Sequence, residues 1–311
     1  MKLPLRGVVP PMVTPLLPNK QLDRRGLKKL IEHLLNGGVH GIFVLGTNGE
    51  GPSLGYGTRK ELITEACRIV SNRAPVLVGI TDTSLEASLE MARYAKTAGA
   101  DALVVAPPFY FPLSETETVG YLQELAPLLP LPFLVYNIPS CTKVALSVKT
   151  IRKAKELGAI GVKDSSGDPV FFRAILKEFK ADGDFSVIVG DELFLSTAIL
   201  NGGHGGVTGG ANVFPKFFVE LYKASLVKDM DRIAQLRSSL IEIHSTIYSV
   251  DDSPTKSIKA IKCCLSLMGI CEDFMALPLH RLAPGKRDAV KGFLYQFKHR
   301  TNQDFLLCEK P

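Results

Sequence analysis

The sequence has no C-x-x-C pair. Its six cysteines, Cys67, Cys141, Cys263, Cys264, Cys271 and Cys308, follow none of the regular spacings of a disulfide framework, and they read as reduced thiols. No uninterrupted apolar run approaches the ~20 residues that span a bilayer. The opening from Met1 to Gly7 lacks the apolar stretch and small-residue cleavage site of a secretory signal. A soluble, cytoplasmic protein without membrane contact is expected. Basic residues form no block: Lys and Arg are interspersed with acidic residues, and the net charge is +6. This argues against nucleic acid as a partner and suits an anionic small molecule. His204 stands without a second His or Cys at ligand spacing, so no metal is expected.

What is present is globular composition, with 46% hydrophobic and 22% charged residues, enough to bury a substantial core. Short apolar, β-branched runs recur at Gly7–Pro15, Gly41–Gly46, Pro75–Ile80, Ala102–Pro107, Pro132–Asn137, Ile160–Asp164, Ser186–Gly190 and Gly205–Gly210. Each reads as a strand buried on both faces. Between them lie stretches with one apolar stripe at helical period, such as Arg24–Leu35 and Ser84–Lys96. Glycines at Gly37-Gly38, Gly99 and Gly158 sit where a left-handed helix cap precedes the next strand. About eight such units over about 230 residues predict an α/β fold, a (β/α)8 TIM barrel, with a doubly wound open sheet as the alternative. From residue 229 the pattern is helical without strands, at Asp229–Tyr248, Pro254–Leu267 and Gly285–His299. The expected organisation is therefore a barrel over residues 1–228 and a C-terminal helical appendage over 229–311.

In a barrel, strand C-termini face the active site, so what each strand delivers there decides the chemistry. The second ends in Gly46-Thr47-Asn48-Gly49-Glu50, a loop whose amides and polar side chains suit a carboxylate, or simply a tight capped turn. The fifth ends in Tyr136-Asn137-Ile138-Pro139, placing a phenol at the mouth, either to carry protons or as packing. The sixth ends in Val162-Lys163-Asp164-Ser165. A lysine in an apolar strand end is costly as an ammonium; desolvation lowers its pKa towards the range where the free amine attacks carbonyls, unless it points out to solvent beside Asp164. The seventh and eighth deliver Gly190-Asp191-Glu192 and the glycine-rich run around Val207. That run permits close packing or a backbone phosphate site, which keeps a phosphate- or flavin-binding barrel, and a non-catalytic barrel, open.

Together, Gly46-Thr-Asn-Gly-Glu50, Tyr136-Asn-Ile-Pro139 and Gly161-Val-Lys-Asp164 make the chain resemble the dihydrodipicolinate synthase/N-acetylneuraminate lyase family nearly end to end. The resemblance implies a Schiff-base lyase or aldolase acting on pyruvate and an aldehyde. Lys163 would form the imine, Tyr136 would move protons, Thr47 and Asn48 would hold the keto-acid carboxylate, and Tyr110 would reach into a neighbouring subunit's site. It also implies a homotetramer built as a dimer of dimers and no cofactor. The candidate substrate-binding set is Thr47, Asn48, Gly49, Ser165, Gly190, Asp191, Glu192 and Val207. Two departures bear on the substrate. Cys141 stands where synthases that use aspartate semialdehyde carry a carboxylate-binding arginine, and a thiol makes no bidentate ionic contact. Asp191-Glu192 resembles the lyase branch, where paired carboxylates accept hydrogen bonds from a sugar acid. The reading is cleavage or formation of a 2-keto-3-deoxy sugar acid or a sialic-acid-like compound. Dihydrodipicolinate synthase activity, or a dehydratase using the same imine, are the alternatives.

Overall fold

A computed structural model describes residues 2–301; Cys308 lies outside them. Eight strands alternate with helices: β1 (Gly7–Val8), β2 (Ile42–Val44), β3 (Val76–Gly79), β4 (Ala102–Val105), β5 (Phe133–Asn137), β6 (Ala159–Asp164), β7 (Ser186–Val189) and β8 (Gly205–Gly206). All pair in parallel, and β1 joins β8 to make one sheet in the order 1-8-7-6-5-4-3-2. The remaining seam between β1 and β2 closes through a parallel bridge of Pro11 to Phe43, with His40 N donating to Val8 O at 2.8 Å, Phe43 N to Pro10 O at 3.0 Å and Met12 N to Phe43 O at 2.8 Å. The fold is the expected (β/α)8 barrel. Strand β1 is shorter than the run Gly7–Pro15 because Pro10 and Pro11 carry no amide hydrogen to continue the ladder on both sides.

Strand alternation explains how the core divides. Ala102 and Val104, and Leu134 and Tyr136, fill the barrel interior with Phe43, Leu77, Ile188 and Val207. Their neighbours Leu103, Val105, Phe133 and Val135 pack outward against the helices. Side chains alternate faces at period two, so Lys163 falls on the inner face two positions after Gly161, while Val162 joins the outer core. Gly161 admits no side chain, since a Cβ there would lie 2.6 Å from Ser186 O.

Beyond the barrel, helices Met230–Ser245, Lys256–Leu267 and Pro284–Thr301 follow without strands. They seat on the barrel through a buried ion pair: Lys262 Nζ lies 2.7 Å from Glu50 Oε1, with both side chains fully buried. Lys262 also donates to Thr14 O at 2.9 Å and to Phe274 O, and Ala276 N donates to Glu50 Oε2 at 2.7 Å. The loop after β2 is thereby tied to the last third of the chain. No helix among the described residues is long and apolar enough to cross a membrane.

Candidate active site

Strands β5 and β6 pair Tyr136 with Lys163 and Asn137 with Asp164. The outward pair locks this register: Asn137 Nδ2 donates to Asp164 Oδ1 at 2.7 Å and its Oδ1 accepts from Leu146 N at 2.9 Å. A slip by one residue would turn both side chains to the wrong face. On the inward face, Lys163 Nζ lies 3.3 Å from the centroid of the Tyr136 ring. It donates to Ser165 Oγ at 2.9 Å, and Ser165 Oγ stands 3.4 Å from Tyr136 Oη. Gly190 makes room for this arrangement, because a Cβ on it would fall 1.9 Å from Ser165 Oγ.

Lys163 is 4% exposed. Burial drives its pKa well below the ordinary 10.5, against the opposing pull of Asp164, so desolvation of the ammonium decides the balance. Burial also pushes the Tyr136 phenol up to about 12, although hydrogen bonds with Ser165 and Thr47 pull the other way. Near neutral pH the site therefore holds an amine poised to lose its proton beside a phenol that keeps its own. That combination serves a nucleophile with a nearby proton carrier.

These groups line a cavity of about 280 Å³ at the C-terminal mouth of the barrel, which also takes in Thr47, Asn48, Gly190, Asp191, Glu192 and Val207. Lys163 is the single lysine or arginine lining it among the described residues. Asp191 uses one oxygen to cap Leu193 N at 2.9 Å. Tyr136, Thr47 and Phe43 separate this space from a more apolar cavity of about 360 Å³, and the exposed Cys141 lines that second space.

Two sequence expectations, for Gly49 and Glu192, need correction or qualification. Gly49 is absent from the cavity wall; its carbonyl accepts from Thr14 Oγ1 at 2.6 Å, and a Cβ would meet Met12 O at 2.9 Å, so its part is to let the loop close on itself. Glu192 is not a free acceptor: Oε2 takes the Gly210 N–H at 2.7 Å and Oε1 lies 2.8 Å from His244 Nε2. Tyr110, expected to act at a neighbouring subunit's site, lies outside this chain's own cavity, 66% exposed and packed edge-on against Phe111 at 5.0 Å. Conversely, His244, Tyr248 and Ser257 line the cavity without belonging to any strand-end motif. They come from the C-terminal helices and the turn between them, and no signal near them in the sequence aims them at a barrel mouth.

A parallel barrel whose mouth holds a buried, depressed lysine beside a phenol defines a barrel enzyme, and the comparisons with known proteins agree. Residues 4–297 match the model of the dihydrodipicolinate synthetase family. A dihydrodipicolinate synthase structure from Bacteroides thetaiotaomicron superposes with a TM-score of 0.92 at 45% identity, covering 95% of this chain and 100% of that one. The putative 2-dehydro-3-deoxy-D-gluconate aldolase YagE of Escherichia coli is 33% identical over 85% of this chain and 87% of that protein. A YagE structure in complex with pyruvate superposes with a TM-score of 0.89 over 95% of this chain and 99% of that one. A 4-hydroxy-tetrahydrodipicolinate synthase of Polynucleobacter asymbioticus is 30% identical over 95% of each chain. The chain belongs to the dihydrodipicolinate synthetase family and is a lyase.

Proposed function

We propose that the protein is a Schiff-base lyase that cleaves or forms the carbon–carbon bond between pyruvate and a polyhydroxylated aldehyde, the two halves of a 2-keto-3-deoxy sugar acid or a sialic-acid-like compound. The observation that carries this reading is Lys163 itself, enclosed at 4% exposure with its Nζ 3.3 Å over the Tyr136 ring and its pKa depressed by burial. The pyruvate complex of the similar YagE structure supports the keto acid. The unprotonated amine attacks the ketone carbon. Loss of water, with Tyr136 supplying the proton to the departing hydroxyl, leaves a protonated imine. This imine is the electron sink for the bond that breaks: as the substrate's C4 hydroxyl gives up its proton and becomes the aldehyde, the bonding pair moves into an enamine. Protonation of that carbon and hydrolysis return pyruvate and Lys163. Thr47 and Asn48, which line the same cavity, would donate to the keto-acid carboxylate. The exposed Tyr110 is available to complete a neighbouring subunit's site in a homotetramer.

For the aldehyde half, Asp191 presents a carboxylate, and no arginine lines the cavity among the described residues, so hydroxyls suit it and a second carboxylate does not. The competing reading, condensation of pyruvate with aspartate semialdehyde, is favoured by the several relatives named 4-hydroxy-tetrahydrodipicolinate synthase. Coupled assays separate the two. Pyruvate release from 2-keto-3-deoxygluconate or N-acetylneuraminate, lost in Lys163→Ala, is the expected result. Turnover of aspartate semialdehyde with none of the sugar acids would replace this reading by the synthase.

A further inference from the structure

Glu192, the residue that sequence places as a sugar-hydroxyl acceptor, already has a donor on each carboxylate oxygen, Gly210 N on one and His244 on the other, and its side chain is 8% exposed. A carboxylate only accepts, so His244 Nε2 carries the hydrogen in this contact. This leaves Nδ1 as the other ring nitrogen, and it has no hydrogen-bond partner among the described residues. The ring is partly open, with 30% of the side chain exposed, and it borders the cavity that holds Lys163. Behind it, Tyr248 packs edge-on with ring centroids 4.9 Å apart. The Tyr248 hydroxyl is buried beside Glu192, and burial first, then the neighbouring carboxylate, pushes its pKa well above 10. The His244 ring is thus held on one side by Glu192, braced on another by Tyr248, and open to the cavity.

We propose that His244 is a specificity-determining residue that meets a distal hydroxyl of the substrate's polyol segment, and that Glu192 is a positioning residue acting through it. The proposal rests on the lyase reading above and adds its distal subsite. The ligand class follows from the groups present: a polyol hydroxyl can hydrogen-bond to Nδ1 and to Asp191, whereas a carboxylate or phosphate at this end would face Asp191 and Glu192 in a cavity lined by no lysine or arginine besides Lys163 among the described residues.

The test is a chain-length profile. Purified enzyme condenses pyruvate with hydroxyaldehydes running from glycolaldehyde through glyceraldehyde and erythrose to mannose, and kcat/KM is measured for the wild type, His244→Ala, His244→Gln and Glu192→Gln. The wild type should favour the longer aldehydes. His244→Ala should lower the long-to-short ratio of kcat/KM on the order of tenfold, as loss of a hydrogen bond to a bound hydroxyl does, with the change in KM more than in kcat. His244→Gln, which keeps a donor for Glu192 and an acceptor for the ligand, should recover part of the ratio. Glu192→Gln should lie between. An unchanged ratio in His244→Ala, or a flat profile in a wild type whose Lys163 is trapped by pyruvate and borohydride, overturns the subsite. A wild type in which Lys163 is not trapped overturns the lyase reading, and the subsite with it.

Discussion

Removing the ammonium of Lys262 should be among the most destabilising single changes available in the barrel. The Nζ lies 2.7 Å from Glu50 Oε1 with neither side chain exposed, so at an effective dielectric of about 20 the direct attraction is about 6 kcal/mol before desolvation is counted. Lys262→Met leaves Glu50 as a buried anion with one remaining donor, Ala276 N. It also strips a partner from the carbonyls of Thr14 and Phe274. Breaking a buried pair this way costs about 3–5 kcal/mol, which for a chain of this size lowers Tm by about 5–10 °C. The double variant Glu50→Gln/Lys262→Met carries no stranded charge and should lose less than the single one. Denaturant unfolding of the four proteins in a double-mutant cycle measures this. A loss below about 1 kcal/mol for Lys262→Met, or a double variant worse than the sum of the singles, would refute the reasoning. Because the same pair anchors the loop that carries Thr47 and Asn48, KM for pyruvate should rise in the folded fraction.

Other outcomes follow from the strand ends. Tyr136→Phe keeps the ring under Lys163 but removes the proton carrier, so kcat should fall about 10²–10⁴-fold, while slow pyruvate trapping at Lys163 persists. Lys163 also links stability to pH. Its folded pKa is depressed, so between that value and the ordinary 10.5 the unfolded chain binds a proton that the folded chain does not, and stability rises with pH across the window. Lys163→Met should therefore be more stable than the wild type at pH 7, with a gap that narrows as pH approaches 10 in parallel denaturation curves; a gap that does not change with pH contradicts the depressed pKa. Imine formation, followed as trapping rate against pH, should rise through the depressed pKa and level off well below 10.5.

Much of this site is legible in the amino-acid sequence, for a physical reason. Barrel strands are short and buried on both faces, so their apolar runs stand out. The residues that follow them reach the mouth by the fold's own rule, which is what singles out Lys163, Tyr136, Asn48 and Asp191. What is not legible depends on contacts far apart in the chain. His244 and Tyr248 lie on elements whose helical pattern says which face is apolar but not that it covers a barrel mouth. The engagement of Glu192 depends on Gly210 and on His244, and the role of Glu50 depends on Lys262 across 212 positions. The run Gly7–Pro15 predicts too long a β1 because it is apolar throughout, whereas the ladder needs amide hydrogens that Pro10 and Pro11 lack.

The central claim is that Lys163 is the nucleophile. Incubating the folded protein with pyruvate and borohydride, then mapping peptides by mass spectrometry, tests it directly. The account predicts one reduced pyruvyl adduct, on Lys163, absent when pyruvate is omitted. An unmodified Lys163 in folded protein, or an adduct on another lysine, would contradict it.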